Sequence, residues 1–105
     1  MGKTISVGLC GDFWHNENVE KMRRVDCDFV LWPVFVDDEI FGADNWAESK
    51  FDYASQAKQV HSNVLMINSI TETPSHALGG CAYFKDGYID CELSPNTNGL
   101  LLIHL

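Results

Sequence analysis

Four cysteines, Cys10, Cys27, Cys81 and Cys91, are the residues of this 105-residue chain with the most chemistry to offer. Cys10 has the most telling setting. It follows the β-branched run Thr4 to Leu9 (TISVGL) and precedes Gly11-Asp12, which reads as a strand entering a tight turn. In open α/β sheets ligands sit at the carboxyl ends of strands. A thiol held there, partly exposed and ahead of a helix start, is placed to work as a thiolate nucleophile. The loop N–H groups of Gly11 and Asp12 are then candidates to hold a developing oxyanion. Packing is the competing reading, because cysteine is among the most buried residue types. His15 lies five residues beyond Cys10 and is a candidate base, against the plainer reading of a surface histidine in a loop.

The other chemically capable residues have plainer readings. No CxxC pair occurs, and His15, His61, His76 and His104 are scattered, so no zinc site and no cofactor is expected. Cys27, Cys81 and Cys91 read as packing residues. The acidic run Asp37-Asp38-Glu39 lacks the alternating spacing of a calcium loop and reads as solvated. Trp14, Trp32 and Trp46 either line a pocket or fill the core, and large aromatics more often do the latter. Gly79-Gly80 has no strand-to-helix context, so it reads as backbone geometry rather than a phosphate cradle.

Charge narrows the partners. Seven Lys and Arg stand against fifteen Asp and Glu, a formal net charge of -8, which disfavours nucleic acid and anionic membrane surfaces. No apolar run reaches about 18 residues, so no spanning helix is expected. The start MGKTISVGLC has none of the pattern of a signal peptide, which leads to an expectation of a cytoplasmic protein with free thiols. With 46% hydrophobic and 21% charged residues the composition is globular, and residues 1–105 make one domain.

The elements that would position Cys10 alternate in type. After the first strand, Glu17 to Val25 forms a helix with Val19, Met22 and Val25 on one face and Asn16 as cap. Phe29 to Val36 (FVLWPVFV) is a strand buried on both faces, ending or bending at Pro33. Asp37 to Asn45 is an acidic loop. Trp46 to His61 is the long helix, capped by Asp44 or Asn45, with Trp46, Phe51, Ala54, Ala57 and Val60 as its apolar stripe. Val64 to Ile70 is the next strand. Cys81 to Phe84 and Tyr88 to Glu92 form a hairpin about Asp86-Gly87, and after a turn at Ser94 to Gly99 a last strand covers Leu100 to Leu105. The expected fold is α/β: a mixed sheet with two helices on one face. Two helices cannot cover both faces of such apolar strands, so an oligomer is expected.

Taken together, GLCGDFWHNE, CDFVLWPVF, VLMINSI, GGCAYFKDGYID and GLLLIHL resemble, in order and spacing, the C-terminal portion of the nitrilase or carbon–nitrogen hydrolase family. The most specific piece is a strand ending in Cys10, an acidic residue at Asp12 and a glutamate at Glu17. Pro33, Asn68 and Gly79-Gly80 also match.

The resemblance implies half of a four-layer α-β-β-α sandwich, completed by a partner chain. That partner would be a second copy (dimer or higher) or a complementary N-terminal half. It implies cleavage of a non-peptide C–N bond in a small amide-like substrate, with a Cys nucleophile, a Glu base and a Lys that steadies the tetrahedral intermediate. Only the nucleophile maps, onto Cys10; the family's Glu and Lys belong to a preceding sheet. Glu17 falls on a supporting position. Trp14, Trp32 and Phe35 become expected substrate contacts. Lys3, at the far end of the first strand, lies roughly 20 Å from Cys10 and cannot replace the missing Lys. Gly11 stands where the family usually has an aromatic residue and Trp14 where it has Arg; Gln56 and Gln59 replace its Arg and Glu. The alternative reading is a non-catalytic, self-associating relative or binding protein of the same fold.

Overall fold

The computed structural model describes residues 2–35, 43–70, 77, 79–95 and 99–104, with 43–45 described by backbone alone. Strand β1 (Ile5–Val7) runs into a 3-10 turn (Cys10–Trp14) and helix α1 (Asn16–Arg23). Strand β2 (Phe29–Val34), helix α2 (Ala43–Val60) and strand β3 (Asn63–Asn68) follow, and then the hairpin of β4 (Cys81–Lys85) and β5 (Tyr88–Leu93). The sheet keeps chain order, β1-β2-β3-β4-β5. The helix-connected pairs β1–β2 and β2–β3 are parallel, and β3–β4 and β4–β5 are antiparallel. A mixed α/β sheet with two helices is the architecture expected from the alternation of elements, with five strands among the described residues where six were expected.

Burial follows the pleat. Along β2, Val30, Trp32 and Val34 point to one face and are buried, while Phe29, Leu31 and Pro33 point to the other and are half-buried. The inner face joins Val64, Met66, Ala82 and Phe84 to Phe13, Val19, Trp46, Ala54, Ala57 and Val60 from the turn and both helices. The register sets Trp32, Met66, Ala82 and Glu92 in one row across four strands of that face.

Several expectations are corrected. β2 is buried on one face only, because both helices lie on the inner side. It passes through Pro33 and ends at Val34. α1 begins at Asn16 with His15 as its cap, and no side chain closes that end. α2 begins at Ala43, so Asp44 and Asn45 lie in its first turn rather than ahead of it. Phe51, expected in the buried stripe of α2, is 62% exposed. The last strand does not form: residues 99–104 join no strand ladder among the described residues. The acidic run at 37–39 and residues 96–98 lie outside the described residues. No helix among the described residues is long and apolar enough to cross a membrane.

Candidate active site

The turn after β1 is fixed from several sides. Gly8 donates its N–H to the Leu31 carbonyl at 3.1 Å, holding the end of β1 against β2. A Cβ on Gly8 would fall 2.1 Å from Cζ of Phe13, whose ring is buried, so a side chain there would force the ring to shift. Leu9 and Asp12 close the turn reciprocally. Asp12 donates its N–H to the Leu9 carbonyl at 2.9 Å, and Leu9 donates its N–H to the Asp12 carboxylate at 3.2 Å. The Asp12 carbonyl accepts from Asn18 Nδ2 at 3.1 Å, which ties the turn to α1. Gln56 Nε2 donates to the Phe13 carbonyl and ties it to α2. From beneath, Trp32 Nε1 donates to the Cys10 carbonyl at 2.8 Å.

Cys10 itself has φ of 45°, in the left-handed region. Residues with a Cβ visit that region at a steric cost, and glycine does so freely. Gly11 stands next to Cys10, yet among the described residues the left-handed glycines are Gly79, Gly80 and Gly87. The turn thus puts its strained conformation on the cysteine and leaves the adjacent glycine in ordinary backbone. The thiol is exposed, and among the described residues its polar contact is the Phe35 carbonyl, 3.9 Å away.

Aromatic rings wall the turn on the helix side. Trp32 packs on Phe13 (centroids 5.3 Å apart) and on Tyr53 (5.6 Å), and Trp14 meets Tyr53 edge-on at 5.3 Å. Tyr53 continues to Trp46 at 5.9 Å. Burial pushes the Tyr53 hydroxyl above its ordinary pKa, and the nearby Cys10 thiol adds to that rise. Trp46 Nε1 donates to Glu92 Oε2 at 2.9 Å, and Lys50 Nζ pairs with Glu92 Oε1 at 3.0 Å. This Glu–Lys pair holds α2 on β5.

The sequence-derived candidates are placed unevenly. Cys10, Gly11 and Asp12 share the exposed turn, but the Asp12 N–H is taken by Leu9, which leaves Gly11 N–H without an acceptor among the described residues. Trp14 is exposed beside the turn, and Phe35 is exposed and reaches the thiol through its carbonyl. Trp32 is corrected: at 0% exposure it cannot touch a substrate, and it instead holds the turn from within. Glu17 is exposed in the first turn of α1, where a carboxylate suits the helix dipole. His15 makes no hydrogen bond to Cys10 among the described residues.

Tyr53 and Gln56 were not among the candidates. Tyr53 lies seven residues from Trp46, which returns it to the same helix face, so a helical projection would have found it. All four cysteines are free, and burial pushes the Cys81 and Cys91 thiols up. The described residues contain no group of three or more His, Cys, Asp or Glu arranged to hold a metal.

No protein-family model and no curated protein matches the sequence. The fold does match. A carbon-nitrogen hydrolase from Helicobacter pylori G27 superposes with a TM-score of 0.66 at 11% identity, over 91% of this chain and 38% of that one. The fold of this chain is therefore similar to that of a carbon-nitrogen hydrolase, and the chain spans just over a third of that protein's length.

Proposed function

We propose that Cys10 is the nucleophile of a thiol-dependent hydrolase acting on a non-peptide C–N bond of a small amide-like substrate. The observation that carries the reading is the left-handed conformation of Cys10 beside an unstrained Gly11. Strain of this kind, about 1–3 kcal/mol, persists where the surroundings over-determine it, and such positions cluster at active sites. In the proposed reaction the Cys10 thiolate bonds to the carbonyl carbon, the C–N bond breaks, and the amine leaves with a proton. Water then cleaves the thioester and returns the thiol. The Gly11 N–H, exposed at the turn, is the donor assigned to the oxyanion. Asp12 holds the loop closed, Glu17 supports the start of α1, and exposed Trp14 and Phe35 border the substrate.

The groups that take and deliver the protons are assigned to a partner chain, a second copy or a complementary half. Lys50 and Glu92 are engaged with each other and with Trp46, and Lys3 lies at the opposite end of β1. The second reading, a self-associating relative without catalysis, draws on that same engagement of Lys50 and Glu92 away from the thiol.

The test is alkylation by iodoacetamide at neutral pH, followed residue by residue by mass spectrometry. Cys10 is expected to react faster than Cys27, Cys81 and Cys91, and faster than Cys10 in the urea-unfolded chain. A folded-state rate for Cys10 at or below its unfolded rate would remove the support for activation.

A further inference from the structure

The Cys10 turn is bordered by aromatic rings that are held in place yet left open to solvent. Trp14 closes the same turn that Cys10 begins, and at about 2 Å of rise per residue their backbones lie within about 10 Å. The Trp14 indole is 47% exposed, although Tyr53 meets it edge-on at 5.3 Å and Trp32 packs on it at 6.1 Å. Tyr53 is fixed in turn by Trp32 and Trp46. Cys10 touches this cluster through its carbonyl, which accepts from Trp32, and its thiol is close enough to raise the Tyr53 pKa. From the end of β2, Phe35 is 49% exposed and its carbonyl lies 3.9 Å from the sulfur. The charges beside these rings are negative. Residues 9–17 contain no Lys or Arg, and their carboxylates are Asp12 and Glu17. Lys50, one turn before Tyr53 on α2, is engaged with Glu92.

We propose that Trp14, backed by Tyr53, is a specificity-determining residue that receives an uncharged aromatic group of the substrate beside Cys10. The inference rests on the reading of Cys10 as nucleophile and adds the substrate class to it: an amide carrying a ring a few bonds from the scissile carbonyl. Three features select such a group. An indole held by two other rings has already lost most of its rotamer freedom, so stacking on its open side costs little further ordering. A flat ring can use the offset-stacked or edge-on geometry that aromatic pairs favour, which an aliphatic group of the same size cannot. An anionic group would meet Asp12 and Glu17 with no Lys or Arg in that stretch to offset them, whereas an uncharged one meets no such repulsion.

The probes are iodoacetamide, N-benzyl iodoacetamide, N-cyclohexylmethyl iodoacetamide and iodoacetate. In each, the Cys10 sulfur bonds to the methylene carbon as the C–I bond breaks and iodide leaves. Rates at Cys10, read by mass spectrometry, are divided by the rate of the same reagent at Cys10 in the urea-unfolded chain, which cancels intrinsic reactivity. The folded-to-unfolded ratio for the N-benzyl reagent should exceed that for iodoacetamide about fivefold, with the cyclohexylmethyl reagent gaining less and iodoacetate falling below iodoacetamide. In Trp14→Ala the N-benzyl ratio should drop to that of iodoacetamide on the same variant, and Trp14→Phe, which keeps a ring, should restore part of the preference. Circular dichroism checks that both variants are folded. Equal wild-type ratios for N-benzyl iodoacetamide and iodoacetamide, an equal gain for the cyclohexylmethyl reagent, a preference that survives in folded Trp14→Ala, or an iodoacetate ratio at or above that of iodoacetamide would each overturn the proposal. Failure of the nucleophile reading shows separately, as an iodoacetamide ratio of one or less.

Discussion

Among the described residues, two tight turns place a residue other than glycine in the left-handed region, and they do so for different reasons. In the β4–β5 hairpin, Asp86 has φ of 51° and Gly87 φ of 82°, the pattern of a two-residue turn whose twist suits the flanking strands. Aspartate tolerates this conformation because its short side chain bonds locally, so Asp-Gly is ordinary turn chemistry. At the end of β1, Cys10 has φ of 45° with glycine beside it, and no turn propensity favours cysteine there. Asp86 is held by its own turn and by one long-range hydrogen bond, its N–H to the Ser62 carbonyl at 2.8 Å. Cys10 is held by Trp32 below, Phe13 behind and the Leu9–Asp12 clasp around it. Local propensity makes the first turn; the tertiary scaffold imposes the second.

The largest expected effect breaks that scaffold. Trp32→Ala removes a fully buried ring and the donor to the Cys10 carbonyl, at a cost of about 3–5 kcal/mol in urea unfolding. Hydrogen exchange at the Cys10 turn should rise, while the Asp86 amide keeps its protection relative to global unfolding. Next is Gly8→Ala, whose Cβ meets the Phe13 ring and costs about 1–3 kcal/mol. Gly11→Ala, in the same turn, meets open space and should fall within about 0.5 kcal/mol of wild type. Equal costs for the two would mean that the turn is not clasped as described.

A smaller effect is alkaline. Tyr53, Cys81 and Cys91 have folded pKa values raised above their ordinary 10.0, 9.0 and 9.0, chiefly by burial. Below those ordinary values both states hold the protons and the stabilising contribution is complete. As pH rises past them the unfolded chain deprotonates first, so stability falls. The melting temperature should therefore decline above about pH 9, and Tyr53→Phe should reduce the slope above about pH 10 while leaving the hairpin cysteines' share.

Much of the fold was legible in the chain. Apolar runs separated by helical periodicity gave the parallel strands, and Asp86-Gly87 marked the hairpin. Leu100 to Leu105 was misread because an unbroken apolar run looks alike whether it joins a ladder or crosses a face. The inward face of α2 was partly misread as well. Phe51 sits five residues from Trp46 and turns outward, whereas Tyr53 at seven turns back to the core. The site was legible only as a location. Cys10 stood out by its place at a strand end, but its backbone strain is set by Phe13, Trp32 and Gly8 through contacts that no local spacing encodes. Trp32 looked like a pocket residue because burial within a shared aromatic cluster is not visible from residue type.

The most direct test of the claim that the scaffold forces Cys10 into strain is urea denaturation of Cys10→Gly beside Asp86→Gly. Relief at Cys10 should raise the midpoint by the equivalent of about 1 kcal/mol with an unchanged m-value, while Asp86→Gly leaves stability nearly where it was. A Cys10→Gly variant that is no more stable than wild type, or that gains no more than Asp86→Gly, would contradict the account.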